Sequence, residues 1–159
     1  MVGLTRREVI QGLDRSSRVV TETTAFTFDP RVHGGRITLL SLLAGFTVTL
    51  PPAIGSGVIY RAQVGIVRTS GNYIIQAASS SDNMEGLIFI ADGGSSDAVL
   101  GFPTTSNTSD TVTMNAASTG GLTIGDWIEF VDAAANIWHV RGQLTGTGGS
   151  VATPFSAAV

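Results

Sequence analysis

Two stretches, Trp127–Asp132 and Ile137–Gln143, alternate with a period of two and flank the short turn Ala133-Ala134-Ala135-Asn136. Side chains of an extended strand point to opposite faces in turn. Ile128 and Phe130 therefore share one face of the first stretch, and Trp127, Glu129 and Val131 share the other. In the second, Trp138 and Val140 oppose Ile137, His139 and Arg141. The pattern predicts a β-hairpin with one face in a core. Its other face carries Trp127 and Ile137 and is not purely polar, which suits an inner strand of a sandwich or a contact between subunits.

The same period recurs upstream. Thr24–Phe28, Arg36–Leu40, Phe46–Leu50, Gly57–Val64, Tyr73–Ala77, Leu87–Ala91, Ala98–Phe102 and Thr111–Met114 read as further short strands. Turn signals separate them: Asp29-Pro30, Pro51-Pro52, Thr69-Ser70-Gly71-Asn72 and the loop 92–97. Ser41–Gly45 fits a single helical turn. About eight to ten short strands at this spacing predict an all-β fold, an antiparallel sandwich of jelly-roll type. Thr5-Arg6-Arg7-Glu8 has the form of a helix capping box, with Val9, Ile10 and Leu13 as a small apolar face. So short a helix is not stable alone. Residues 15–24 read as an extended polar linker. The expected organisation is an N-terminal arm over 1–24, helical or extended, a β-sandwich over 25–143, and a flexible tail over 144–159 with Pro154-Phe155 as its candidate anchor.

Composition limits the chemistry. The chain of 159 residues has no Cys and no Lys, so thiolate nucleophiles, disulfides, P-loop lysines and Schiff bases are excluded. Charged residues make up 13%, against roughly 25% in an average globular chain, which suits a protein that lies packed against others. Residues 1–36 hold six arginines against four acids; the remainder holds three arginines against eight acids, with no basic residue from Thr69 to Val140. An acidic body with no basic stripe does not suit nucleic acid, and no apolar run is long enough for a membrane span. His33 and His139 are far apart in sequence and lack companion ligands. Asp82-Asn83-Met84-Glu85 and Asp92–Asp97 read as solvated acidic turns, not as calcium loops. Asp126, Glu129 and Asp132 alternate between strand faces and do not form a glycosidase pair. No Gly-x-Ser-x-Gly elbow is present. No catalytic residue, cofactor or metal site is expected.

Six short motifs occur in order: Thr47–Pro51, Gly57–Tyr60, Asn72–Ile75, Gly86, Trp127–Glu129 and Trp138–Gly142. Together they resemble a β module that recurs in virion proteins of tailed bacteriophages, in capsid decoration (cement) proteins and in tail fibres. The chain lacks a repetitive fibre stalk and carries a basic arm, so it looks like a decoration protein. The resemblance implies a homotrimer on the exterior of the virion capsid, assembled in the cytoplasm of a bacterial host, with the major capsid protein and further copies of itself as partners. The expected capsid contacts are Thr5, Arg6, Arg7, Val9, Ile10, Leu13, Arg15 and Arg18 of the arm. Trp127, Ile137 and His139 are the expected contacts between subunits. A tail-fibre or receptor-binding module that touches a host glycan or protein is the alternative, and exposed aromatic residues around a groove would favour it.

Overall fold

A computed structural model describes residues 17–94, 98–147 and 149–159. The described chain is an all-β sandwich of two packed sheets, as the alternation predicts, built from twelve strands. These are β1 (Val19–Glu22), β2 (Phe26–Thr27), β3 (Ile37–Leu40), β4 (Phe46–Thr49), β5 (Ile59–Val64), β6 (Tyr73–Gln76), β7 (Asn83–Asp92), β8 (Val99–Pro103), β9 (Thr111–Met114), β10 (Trp127–Ala134), β11 (Ile137–Gly146) and β12 (Phe155–Ser156). One sheet has the order β1-β3-β5-β10-β11-β7-β8, the other β12-β9-β6-β4-β2.

The first six strands alternate strictly between the sheets. Val19 pairs in parallel with Ile37, and Ile37 with Arg61; across the sandwich Phe26 pairs in parallel with Val48, and Val48 with Ile75. Parallel neighbours need a long crossover. Here each crossover is a strand of the opposite sheet, so the segment winds as a coil without helices. The rest of the chain closes the coil with antiparallel partners, β10 beside β5 and β9 beside β6. The sheets are therefore mixed, not antiparallel as expected, and the long β7 lies parallel to β11 over its full length, from Asn83↔Ile137 to Asp92↔Gly146. Ser41–Gly45 forms a turn, not a helix.

The core lies between the sheets. Tyr60, Trp138, Phe130, Tyr73, Phe28, Ile75, Met84, Ile88, Ile90 and Leu144 are among its buried side chains. An aromatic chain crosses it, Phe26–Phe28–Tyr60–Trp138, with ring centroids 5.2, 4.8 and 5.9 Å apart. Such pairs add about 0.5–1.5 kcal/mol each beyond their area burial. Tyr73 pins the crossovers: its hydroxyl accepts from the Leu42 N–H at 3.0 Å and faces the carbonyls of Leu40, Leu42 and Ile66.

Three readings of the sequence change. The linker expected over 15–24 contains β1, an edge strand on which Val19 and Thr21 are exposed and Val20 and Glu22 half-buried. The acidic turns are not solvated: Asn83–Glu85 opens β7, and the Asp82 and Asp92 side chains are buried. Asp97 lies outside the described residues. Beyond 144, β11 continues to Gly146 and β12 pairs with β9. Val151 and Phe155 enter the core, and the Ala158 N–H donates to the Asp110 carboxylate at 2.8 Å. Pro154-Phe155 is the anchor, because the Thr113 N–H donates to the Pro154 carbonyl at 2.9 Å and fixes the register.

Candidate binding face

The pairings align the outward side chains of the seven-stranded sheet into rows. One row runs Leu39, Gln63, Trp127, Gln143, Phe89, Gly101; the next runs Ile37, Arg61, Glu129, Arg141, Leu87, Pro103. Two charged groups of the second row pair: the Arg141 guanidinium donates to the Glu129 carboxylate from Nε at 2.8 Å and from Nη2 at 2.5 Å. Arg61 lies over the Trp127 ring, 4.3 Å from its centre. Such contacts contribute roughly 0.5–1 kcal/mol at exposed positions. Three depressions mark this face. One, of about 410 Å³, is lined by Phe89, Ala91, Val99, Gly125, Asp126, Trp127, Gln143, Leu144 and Thr145. The second, of about 270 Å³, adjoins Val131, His139 and Arg141, and the third, of about 280 Å³, adjoins Arg36, Ile37, Ile59 and Arg61.

The expected subunit contacts all reach this face but do not form one patch. Ile137 and His139 are exposed beside the hairpin turn, paired with Ala134 and Val131. Trp127 is half-buried at the other end of β10, roughly 13 Å from His139 and roughly 20 Å from Ile137 along the strands. The Glu129–Arg141 pair stands between them. Of the expected capsid contacts, Arg18 is exposed just before β1, and its carbonyl accepts from the Ile37 N–H at 2.9 Å. Thr5, Arg6, Arg7, Val9, Ile10, Leu13 and Arg15 lie outside the described residues. Arg31 and Arg36 join Arg18 at the β1–β3 end, where Val19 and Val32 are exposed. The sequence reading missed these two arginines, whose only signal was their place in the basic first third of the chain.

Two buried carboxylates hold the chain in place. Asp132 accepts from the N–H groups of Ile54, Gly55 and Ser56 at 2.9, 2.7 and 2.9 Å and from the Ser56 hydroxyl at 2.5 Å. Burial raises its pKa, but these donors outweigh burial and hold it below the usual carboxylate range. Asp126 accepts from the Thr145 N–H at 2.8 Å, the Thr123 N–H at 3.3 Å and the Thr145 hydroxyl. There burial wins over the donors, and the pKa is raised. Asp126 is tied to Thr123 and Thr145, Asp132 to residues 54–56 and Glu129 to Arg141, so the three acids do not converge.

His33 is a tether, not a ligand. Its Nδ1 accepts from the Asp29 N–H at 3.0 Å and its Nε2 faces Glu22 at 3.1 Å, while its ring stacks on Phe26 at 4.9 Å. Among the described residues no group of three or more His, Asp and Glu side chains is placed to hold a metal ion. No helix among them is long and apolar enough to cross a membrane. No protein-family model, curated protein or solved structure matches the chain.

Proposed function

We propose that the chain is a virion structural protein that decorates the assembled head of a tailed bacteriophage and stabilises it by bridging capsid subunits. The six ordered motifs support this reading, and they fall on β4, β5, β6, β7, β10 and β11, the body of the sandwich. The observation that carries it is the polarity of the large sheet. At its β1–β3 end lie Arg18, Arg31 and Arg36 with exposed Val19 and Val32, and among the described residues of this first segment the acids are Glu22 and Asp29. The β7–β8 end belongs to the stretch without a basic residue. Glu22 is engaged by His33, and Asp29 accepts the Arg31 N–H at 2.7 Å. A basic, partly apolar end continuous with the basic N-terminal segment fits an acidic shell surface.

The mechanism is mass action. A protein that binds the assembled shell and not its separated subunits stabilises the shell by the free energy of that binding. Several modest contacts held together in one oligomer gain through effective concentration. Ile137 and His139, on the open part of the outer face, are the proposed contacts between copies. No catalytic residue takes part in this reading. Quantitative mass spectrometry of purified virions tests it: a copy number comparable to that of the major capsid protein is expected, and a number many-fold lower, or absence from the virion, overturns it.

A further inference from the structure

We propose that the trough between Trp127 and Phe89 is a binding site for a neutral pyranose of a glycan. The trough exists because one line of outward residues is small. Gly125 before β10, Thr145 on β11 and Ala91 on β7 lie side by side, and Trp127, Gln143 and Phe89 stand over them in the next row. Val99, paired with Ala91 on the edge strand β8, closes the far side. Phe89 is 46% exposed and Val99 66% exposed, so both offer apolar surface to a ligand. Trp127 is braced: Arg61 covers one side of its ring and does not line the trough, so the trough meets the indole elsewhere. A wall fixed in advance loses little conformational entropy on binding.

The polar groups select the ligand. Asp126 and Thr145, at the base, already satisfy each other. Among the described residues no Arg or His lines the trough, and the one carboxylate that does is buried. Neither an anion nor a cation finds a free counter-charge among them. A purely apolar ligand would strip water from the exposed Gln143 amide, which has no hydrogen-bond partner among the described residues, and would leave that amide unpaired. The remaining chemistry is a ring with apolar faces and a rim of neutral hydroxyls. Its C–H groups would lie against the aromatic walls, and its hydroxyls would give to and accept from the Gln143 amide. The volume of about 410 Å³ lies within the range of small-ligand sites, roughly 300–1,000 Å³.

The two tryptophans supply the test. Trp138 is wholly buried and Trp127 borders the trough, so the two indole N–H resonances are an internal control and a probe. The full chain would be titrated with the methyl glycosides of glucose, galactose, mannose and N-acetylglucosamine, and with glucuronate and sialic acid as charged counterparts. A saturable shift of the Trp127 resonance with at least one neutral glycoside is expected, with Trp138 unmoved. Gln143→Ala, at an exposed position that leaves the core intact, is expected to weaken binding about tenfold, and Phe89→Ala to do likewise. No shift with any neutral glycoside overturns the proposal, as does equal binding of the charged sugars. A Trp127 shift that follows protein concentration and not sugar makes the trough a contact between copies and also overturns it. The site does not depend on the head-decoration reading, which the virion copy number tests separately.

Discussion

Asp126 and Asp132 bracket the strand that carries the outer face, and their surroundings push them in opposite directions. Asp132 has a lowered pKa because its backbone and hydroxyl donors outweigh its burial. Its contribution is complete above the unfolded carboxylate pKa, about 3.9, and is lost as pH falls through the folded value. Asp126 has a raised pKa because burial outweighs its donors. It costs stability at neutral pH, and the cost is relieved as pH falls through its folded value toward the unfolded one. Asp132→Asn, which cannot accept from all four donors, is expected to cost roughly 2–3 kcal/mol at pH 7, a deficit that shrinks only in strong acid. Asp126→Asn is expected to be nearly neutral or stabilising at pH 7, with its advantage over the parent fading on mild acidification. Urea unfolding of both variants from pH 3 to 7 checks the signs; parallel slopes would refute the assignment.

At the level of strands, the pairing of β7 with β11 joins the hairpin to the edge of the sheet, and at Gly86 the β11 backbone leaves no room for a side chain. A Cβ there would sit 1.9 Å from the Val140 carbonyl oxygen, with φ at +153°. Gly86→Ala is therefore expected to cost about 3 kcal/mol, read as a lowered denaturant midpoint, and to expose Trp138 to a fluorescence quencher. The hairpin itself was legible in the sequence, since Ile128, Phe130, Trp138 and Val140 fall on one alternating face and all four are buried. The parallel coil was not. Alternation tells which face a residue takes but not which strand lies beside it, and the pairing of Val19 with Ile37, or Phe26 with Val48, is set by the packing of the whole sandwich. The trough was hidden for a related reason. Leu87–Ala91 is apolar at every position, so its sequence does not mark which side chains face outward. Leu87 and Phe89 nonetheless face outward, and Gly101 opposite Phe89 supplies no side chain to cover it. Buried Asp82 and Asp92 look like loop acids in a sequence because a carboxylate engaged by backbone donors carries no mark of it.

For the molecule as a whole, the proposed division of labour is between the sandwich and the basic segment that precedes it. Every member of the described core lies between Phe28 and Phe155, and β1 begins at Val19. On that division of labour, deleting residues 1–16 is expected to leave the thermal midpoint within about 2 °C of the parent. The same deletion takes away Arg6, Arg7 and Arg15. Binding to emptied phage heads should then weaken by more than tenfold. In the intact chain that binding should fall steeply between low and physiological ionic strength, as expected where exposed arginines meet an acidic surface. The companion substitution Arg18→Glu, at an exposed position outside the core, should weaken head binding in the same direction with the midpoint unchanged. Cosedimentation with the heads, run beside calorimetry of the free protein, separates the two effects. Loss of folding on deletion would show that the segment belongs to the sandwich. Unchanged head binding at all salt concentrations would move the shell contact from the basic end to the apolar face of the sheet, where Ile37, Ile59 and Val131 flank the smaller depressions.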